Sequence, residues 1–137
     1  MDVQELSDRM EIRDLITRYT RAIDTGDWDG IDEVFGPDAI LDYVSSGGPA
    51  TTRDEAKAFI RNLEGFDRWQ HTIGQVCIEL AGDTATATAY FINPMVSKGP
   101  DGVEKLWEVG GYYHHDLVRT PDGWRSVRMV DELVWSR

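Results

Sequence analysis

The hydrophobic period of this 137-residue chain changes once, after Leu63, and this change limits its fold more than any other feature. Before it, apolar residues recur at three- and four-residue steps, a spacing typical of amphipathic helices. After it, apolar and polar residues alternate, as over 84–91, which predicts half-buried strands. Helices followed by antiparallel strands predict an α+β fold, in which N-terminal helices pack on one face of a strongly curved sheet.

Caps and turn residues divide the two halves into elements. Asp2 and Glu5 match a helix capping box and Gly26 a helix end, so a first helix is expected over the first ~25 residues. The other expected elements are a short helix after residue 27, a strand over 39–44, a helix over 52–63, and strands over 68–80, 84–96, 105–119 and 124–135. Bends or bulges are expected at Gly110–Gly111 and Pro94. Such a curled sheet, capped by helices, encloses a cone-shaped pocket that suits a small-molecule ligand.

The charge balance argues against two classes of partner. The 25 acidic and 14 basic residues give a formal net charge of −11, which repels nucleic-acid phosphates and anionic membrane surfaces. No stretch approaches the ~18 apolar residues of a membrane span, and the N-terminus lacks the basic and apolar regions of a signal peptide. We therefore expect a soluble, cytoplasmic protein with one domain over residues 1–137.

Several common site chemistries have no sequence signature here. The single cysteine, Cys77, excludes an internal disulfide, and its position between Val76 and Ile78 predicts a small core residue rather than a nucleophile. No glycine-rich dinucleotide fingerprint, Walker loop or nucleophile elbow is present. We therefore expect no nucleotide cofactor.

The end of the first helix carries the first candidate residues, Tyr19 and Asp24. A carboxylate in the last helical turn opposes the helix dipole, and a function such as orienting a histidine from another element would explain that cost. The spacing alone favours a simpler interpretation, in which residues 24–27 form a turn through side-chain hydrogen bonds of Asp.

His71 is the second candidate. On a strand it shares a face with Trp69 and Ile73, so its ring is expected to be partly desolvated. Desolvation favours the neutral imidazole, which suits a general base. A hydrogen-bonded core histidine explains the same pattern equally well.

The third candidate is the run over 112–116, which contains His114 and His115. Neighbouring strand residues point to opposite faces, so only one of these histidines can face the pocket, and Tyr112 shares the face of His114. The chain has no His-x-His motif, no His-Glu-x-x-His motif and no cysteine cluster. We therefore expect no metal site.

Nearly the whole chain resembles the SnoaL-like branch of the nuclear-transport-factor-2-like (NTF2-like) superfamily. The segments that carry the resemblance are Tyr19, 23–29, Phe35, 37–39, 42–43, His71, Gly74, 82–85, 111–113 and 117–125. The resemblance implies a cone-shaped NTF2-like fold with a mixed, mainly antiparallel sheet, a fold that hosts many reactions. Within the superfamily the chain is most similar to scytalone dehydratase and the bile-acid 7α-dehydratases.

The resemblance implies roles for individual residues. Asp24 and His71 fall on the catalytic Asp–His dyad of scytalone dehydratase, and Tyr43 falls on the tyrosine of its Asp-Tyr strand. Tyr19 falls on a tyrosine that precedes the aspartate by five residues in a bile-acid dehydratase. Met95 stands where scytalone dehydratase has a second catalytic histidine.

These matches imply a cofactor-independent lyase, a dehydratase that abstracts a proton next to a carbonyl of its substrate. His71 is the expected base, Asp24 holds its tautomer, and Tyr19 and Tyr43 bind the developing enolate oxygen. An isomerase or polyketide cyclase with the same dyad is the alternative enzyme class, and a non-catalytic small-molecule-binding or association domain is the third hypothesis.

The expected partner is a hydrophobic, ring-shaped substrate such as a steroid or polyketide. His114 and Asn93 are expected to bind or protonate its departing hydroxyl. The residues expected to form an apolar wall are Trp69, Phe91, Met95, Tyr112 and Trp135. Because open curved sheets usually cover exposed strands with a second copy, a homo-oligomer, either a dimer or a trimer, is also expected.

Overall fold

The first helix, α1, spans Val3–Thr25 in a computed structural model that describes residues 1–137. It begins where the Asp2 carboxylate accepts a hydrogen bond from the Glu5 backbone N–H at 2.8 Å, as the capping pattern predicts. It ends at Gly26, whose φ of 69° is the left-handed conformation that a residue without Cβ adopts at little cost. No helix of the structure, α1 included, is long and apolar enough to cross a membrane.

Seven strands form one open sheet. They are β1 (Phe35–Asp42), β2 (Ala50–Thr52), β3 (Arg68–Trp69), β4 (Thr72–Ala81), β5 (Thr84–Lys98), β6 (Glu104–Thr120) and β7 (Gly123–Ser136). The order across the sheet is β2-β1-β7-β6-β5-β3, and β4 also pairs with β5. Only the β1–β7 pair is parallel. The predicted α+β fold with a mixed, mainly antiparallel sheet is therefore confirmed.

Short helices connect α1 with the long strands. The short helix expected after residue 27 is a 3₁₀ helix at Trp28–Glu33, and β1 begins earlier than expected. The reason is that the carbonyl of Val34 already accepts a hydrogen bond from the β7 residue Ser126 at 2.9 Å. Helix α2 (Arg53–Ile60) lies within the helix expected over 52–63, and the Thr52 side chain caps its N-terminus. Two further 3₁₀ turns lie at Val44–Ser46 and Arg61–Gly65.

The strand expected over 68–80 is interrupted at Gln70 and His71, which separate β3 from β4. The backbone N–H of Gln70 donates to the Pro94 carbonyl at 3.2 Å, which keeps the chain beside β5. The N–H of His71 leaves the ladder and is free to bond to another element.

A β-bulge in β7 decides which of its last side chains face α1. Gly110 pairs with Trp135 and Gly111 pairs with Leu133, so β7 accommodates one extra residue, Val134, at this point. The in–out alternation therefore shifts by one residue, and Leu133 faces inward whereas Trp135 faces outward. The bulge expected at Gly110–Gly111 is present.

The second expected irregularity is not seen. Pro94 pairs in register with Glu108, without a bulge in the β5–β6 ladder. β5 instead has its register shift against β4, between Ile73 and Val76 of β4.

An ion-pair network fixes the start of α1 on the sheet. Asp8 is buried, and its carboxylate accepts hydrogen bonds from Arg119 at 2.7 and 2.9 Å and from the Trp124 indole at 3.1 Å. The Arg119 guanidinium, chiefly through these hydrogen bonds, holds the pKa of Asp8 well below its usual value. This end of α1 is therefore fastened to β6 and β7, while its other end reaches β3.

The expectation that Cys77 lies in the core is wrong. Its side chain is exposed, whereas the neighbouring Ile78 is buried and Val76 packs partly against the core. The register shift between Ile73 and Val76 changes which residues of β4 face inward, so that Val76 and Ile78 do. Because successive strand residues point to opposite faces, Cys77 between them lies on the outer side.

Candidate active site

A cavity of about 350 Å³ lies between the last turn of α1, the end of α2 and the inner face of the sheet. Thirteen of its 19 lining residues are hydrophobic, and apolar walls with a few placed polar groups are typical of small-molecule sites. The polar groups at its surface belong to Tyr19, Tyr43, Ser45, Ser46, Asn62, His71, Asn93, Tyr113 and Asp131.

Asp24 and His71 form a hydrogen-bonded pair at this cavity. Asp24 Oδ1 lies 2.6 Å from His71 Nδ1, and Asp24 Oδ2 accepts a hydrogen bond from the His71 backbone N–H at 2.8 Å. The His71 side chain is only 4% exposed, so this two-point contact holds its ring in an almost water-free position. Because Nδ1 is engaged, Nε2 is the ring nitrogen that remains for a ligand. The structure thus brings together the two residues of the expected dyad.

Local structure explains why Asp24 reaches His71. The indole N–H of Trp69 donates to the carbonyl of Ile23 at 3.2 Å, which ties the last turn of α1 to β3. The break after β3 then presents the free N–H of His71 to the carboxylate. The alternative role of a turn-forming Asp belongs to Asp27, whose side chain accepts from the Gly30 N–H at 3.1 Å.

Tyr19 and Tyr43 also meet in the cavity, where their hydroxyl groups are hydrogen-bonded to each other. Both side chains are buried, and burial raises the pKa of each phenol above its usual value. The pair is therefore neutral and can offer one O–H proton outside the pair. Tyr113 packs edge-on against Tyr19, with ring centroids 5.3 Å apart.

Three further expected residues line the cavity from β5. Phe91, Asn93 and Met95 are buried and share the inward face of this strand. Phe91 stacks on Tyr113 with ring centroids 4.1 Å apart. Asn93 Oδ1 is buried and has no hydrogen-bond partner, so it is available to a ligand.

Four expected binding residues lie elsewhere. Tyr112 and Trp135 line a second cavity, of about 330 Å³, on the outer face of the sheet, so the expectation that they form the wall of the inner pocket is wrong. His114 lies on that face too, where it contacts Thr88 Oγ1 at 2.9 Å and Glu132 at 3.5 Å. Trp69 packs partly against the core and holds Ile23 rather than lining the cavity. Strand alternation on β6 and the bulge in β7 are the physical reasons.

His115 points inward but does not line the cavity. It is 2% exposed, stacks against Phe35 and contacts Ser126 Oγ through Nδ1 at 2.9 Å. Burial, with a smaller effect of His114, lowers the pKa of His115 to about 3, so its ring is neutral. Neither of the paired histidines therefore faces the cavity.

The sequence reasoning missed Asp131. This residue of β7 is 3% exposed, lines the cavity, and accepts a hydrogen bond from the Ser46 hydroxyl at Oδ2. Burial raises the pKa of Asp131 to about 6, against the lowering effects of the Ser46 hydrogen bond and the nearby His71. One signal was available, because Asp131 stands between Met129 and Leu133 on an otherwise apolar strand face.

The polar side chains of the cavity suit an organic ligand rather than a metal ion. No group of three or more His, Cys, Asp or Glu side chains is placed to hold a metal ion. The polar groups present are hydrogen-bond donors, acceptors and proton carriers.

Comparisons with known proteins agree on one family. The profile of the SnoaL-like domain matches residues 4–130. The uncharacterized protein Rv2910c of Mycobacterium tuberculosis is 39% identical over 138 residues, covering 100% of this chain and 92% of its own length.

Solved structures give the fold. An NTF2-like protein with a cystatin-like fold from Novosphingobium aromaticivorans is similar with a TM-score of 0.77 and 28% identity, covering 96% of this chain and 85% of that one. A second protein of this bacterium, provisionally named a scytalone dehydratase, has a TM-score of 0.86 at 16% identity, covering 100% of this chain and 91% of that one. At that identity the likeness concerns the fold alone.

Proposed function

Because the chain belongs to the SnoaL-like family, whose members share this NTF2-like fold, we propose that it is a cofactor-independent dehydratase. In this proposal His71 removes a proton next to a carbonyl of a hydrophobic, ring-shaped substrate, Asp24 orients His71, and a hydroxyl leaves as water. The observation that carries the proposal is the pair of hydrogen bonds that the Asp24 carboxylate accepts from the backbone N–H and Nδ1 of His71 at the edge of an apolar cavity.

The dyad has the arrangement that a general base needs. With Nδ1–H donating to Asp24, the lone pair of the imidazole resides on Nε2, where it can accept a proton. The imidazolium that forms is then next to a carboxylate, which stabilises its charge. A base held in this way contributes roughly 10²–10⁴-fold to a rate.

The two tyrosines supply the second requirement, donors for the enolate oxygen. One hydroxyl of the Tyr19–Tyr43 pair donates to the other, which leaves one O–H free for a substrate oxygen. A donor aimed at a developing oxyanion in an apolar site is worth about 2.7–4 kcal/mol. Removal of a carbon-bound proton therefore produces a negative charge that this pair can hold.

The size and surface of the cavity support a compact substrate. A volume of about 350 Å³ is near the lower end of the range for ligand sites, which is about 300–1,000 Å³. The aromatic rings of Phe59, Phe91 and Tyr113 at its surface favour a flat ring system. We expect an aromatic, polyketide-like ligand to fit better than a steroid.

The first test uses β-hydroxytetralone, a bicyclic ketone with a hydroxyl group β to its carbonyl. Loss of water yields a naphthol, whose formation is followed by fluorescence and mass spectrometry. We expect His71→Ala and Asp24→Asn each to lower the rate by about 10²–10⁴-fold, with an unchanged thermal midpoint. Full activity of either variant would disprove the dyad mechanism, and no turnover by the wild-type protein would disprove the proposed dehydratase activity.

A second candidate function is an isomerase or polyketide cyclase that uses the same dyad. The polar groups of the cavity favour this function, because the His71 base and the tyrosine donors suffice to move a proton within a substrate that has no leaving group. Mass spectrometry separates the two, since dehydration of β-hydroxytetralone loses the mass of water whereas isomerisation of a β,γ-unsaturated ketone conserves mass. A non-catalytic binding domain would bind these compounds and transform neither.

A further inference from the structure

We propose that Asp131 is the proton donor for the leaving hydroxyl, acting in the same cavity as the His71 base. This inference rests on the proposed dehydratase function. The sequence predicted that His114 would bind or protonate this hydroxyl, but His114 lies on the other face of the sheet.

The environment of the Asp131 carboxyl group leaves one of its oxygens without a partner. Its Oδ2 accepts from the Ser46 hydroxyl, whereas its Oδ1 is buried and has no partner in the protein. A buried, unpaired oxygen costs free energy unless a ligand or a proton satisfies it. Asp131 lines the cavity, so a ligand bound there can form this missing hydrogen bond.

A short 3₁₀ turn holds the Asp131 carboxyl group in place. Ser46 belongs to the 3₁₀ turn Val44–Ser46, and its neighbour Ser45 accepts a hydrogen bond from the Leu133 N–H at 2.8 Å. The turn is thereby bonded to β7 on both sides of Glu132. Asp131 therefore mirrors the arrangement of His71, with one polar atom fixed by the protein and the other left for the substrate.

The groups around Asp131 include no permanent positive charge. The residues that interact with Asp131 through their charge or a hydrogen bond are Ser46, Asp42, His71, Tyr19, Tyr43 and Tyr113. Burial, reinforced by Asp42, favours the protonated acid, whereas the Ser46 hydrogen bond and a positive His71 favour release of the proton. No lysine or arginine is among them, so nothing nearby holds the group permanently ionised.

These groups couple the two proton transfers. His71 Nε2 takes the proton from the carbon next to the carbonyl, and the C–H electron pair forms the enolate. The new charge on His71 lowers the pKa of Asp131, which makes it a stronger acid at the moment when the hydroxyl must leave. Asp131 then gives its proton to that hydroxyl, the C–O bond breaks to release water, and a C=C bond forms. Return of the proton from His71 to Asp131 through water restores the starting state.

The experiment compares two leaving groups. β-Hydroxytetralone needs a proton donor for its hydroxyl, whereas β-acetoxytetralone releases acetate without one, and both give the same naphthol. We expect Asp131→Asn to slow the hydroxy compound by about 10²–10⁴-fold and to leave the rate on the acetoxy compound within a few-fold of the wild type. His71→Ala should slow both. Asp116→Asn makes the same chemical change at an exposed position of β6 and should slow neither.

The outcomes separate this inference from the proposed function. Equal loss on both compounds, or no loss on either, in Asp131→Asn overturns the role of Asp131 and leaves the dyad in place. Turnover of the acetoxy compound alone by the wild-type protein also overturns it. If the wild-type protein converts neither compound, the proposed function fails, and the role of Asp131 fails with it.

A pH profile gives a readout that a structural role would not move. The wild-type kcat/KM on β-hydroxytetralone should fall as the pH rises through about 6, because the acid loses its proton. In Ser46→Ala the lost hydrogen bond should move this limb to higher pH. An unmoved limb in that variant, with a folded protein by circular dichroism, contradicts the proposal.

Discussion

Asp131 should also make the stability of the folded protein depend on pH. The folded state keeps the proton of this carboxyl up to a pKa of about 6, whereas the unfolded chain releases it near 3.8. The contribution of this carboxyl group to the free energy of unfolding is therefore fully present below its pKa in the unfolded chain. It declines as the pH rises from that value through the pKa in the folded state. Relative to the wild type, Asp131→Asn should gain about 3 kcal/mol of unfolding free energy between about pH 4 and pH 7. Urea titrations at a series of pH values measure this difference, and a constant difference would contradict the assignment.

His115 should act in the opposite direction. Its buried ring has a pKa of about 3, so the unfolded chain binds a proton near 6.5 that the folded state does not bind. Stability is lost as the pH falls from 6.5 towards 3. His115→Gln removes this titration and should flatten the acid limb of the urea midpoint. His114→Gln, next to it on the outer face, should keep the limb, and equal profiles for the two variants would argue against this account.

The residues of the candidate site differ in how far the sequence could predict them. Asp24 and His71 are 47 positions apart, and only a family resemblance, not their spacing, predicted that they meet. Strand alternation correctly separated His114 from His115, but it could not tell that the inward space at His115 is filled by Phe35 and Tyr19. The sequence did not identify Asp131, because an acid on an apolar strand face indicates a site only once a cavity is known to lie against that face.

At the scale of secondary structure, period and caps predicted most elements. The α1 cap at Asp2, the end at Gly26 and the long strands β5 to β7 lie within a few residues of their expected positions. The interruption at His71 was not predicted, because it depends on a contact with α1 rather than on local sequence. The bulge expected at Gly110–Gly111 is present, but the sequence did not show that its extra residue would be Val134 of β7, because that depends on pairing with β6. The error for Trp135 follows directly from that bulge.

The pairing of β6 with β7 at this bulge should tolerate no side chain at Gly111. A Cβ at Gly111 would lie 2.0 Å from the backbone oxygen of Glu132, and this oxygen can move only with the strand. We expect Gly111→Ala to lower the unfolding free energy by about 1–3 kcal/mol and to reduce turnover, because Asp131 lies on the same strand. Gly65→Ala, where no atom lies within 4 Å of the new Cβ, is the matched control. Equal thermal midpoints for the two variants would show that the strand yields easily.

At the scale of the whole molecule, the outer face of the sheet is unusually apolar for a surface. Tyr90, Ile92, Val134 and Trp135 are between 37 and 56% exposed there. Contiguous apolar surface of this kind is commonly covered by another protein chain. We therefore expect self-association as a dimer or trimer through this outer face.

This expectation can be measured by sedimentation equilibrium. Val134→Lys places a charge in the middle of the outer face and should shift the protein towards monomers. Val103→Lys, at an equally exposed valine in the turn between β5 and β6, should leave the mass unchanged. A wild-type protein that sediments as a monomer, or a Val134→Lys variant of unchanged mass, would count against the outer face as the contact.

The hydrogen bonds between Asp24 and His71 affect the stage of folding at which the candidate site is complete. They join the carboxyl end of the first helix to a chain segment that is synthesised much later, so neither partner has its role until both have docked. During refolding, the proposed dehydratase activity should consequently lag behind the return of helical circular dichroism. A compound seated on the imidazole should, in turn, slow amide hydrogen exchange in the final turn of that helix.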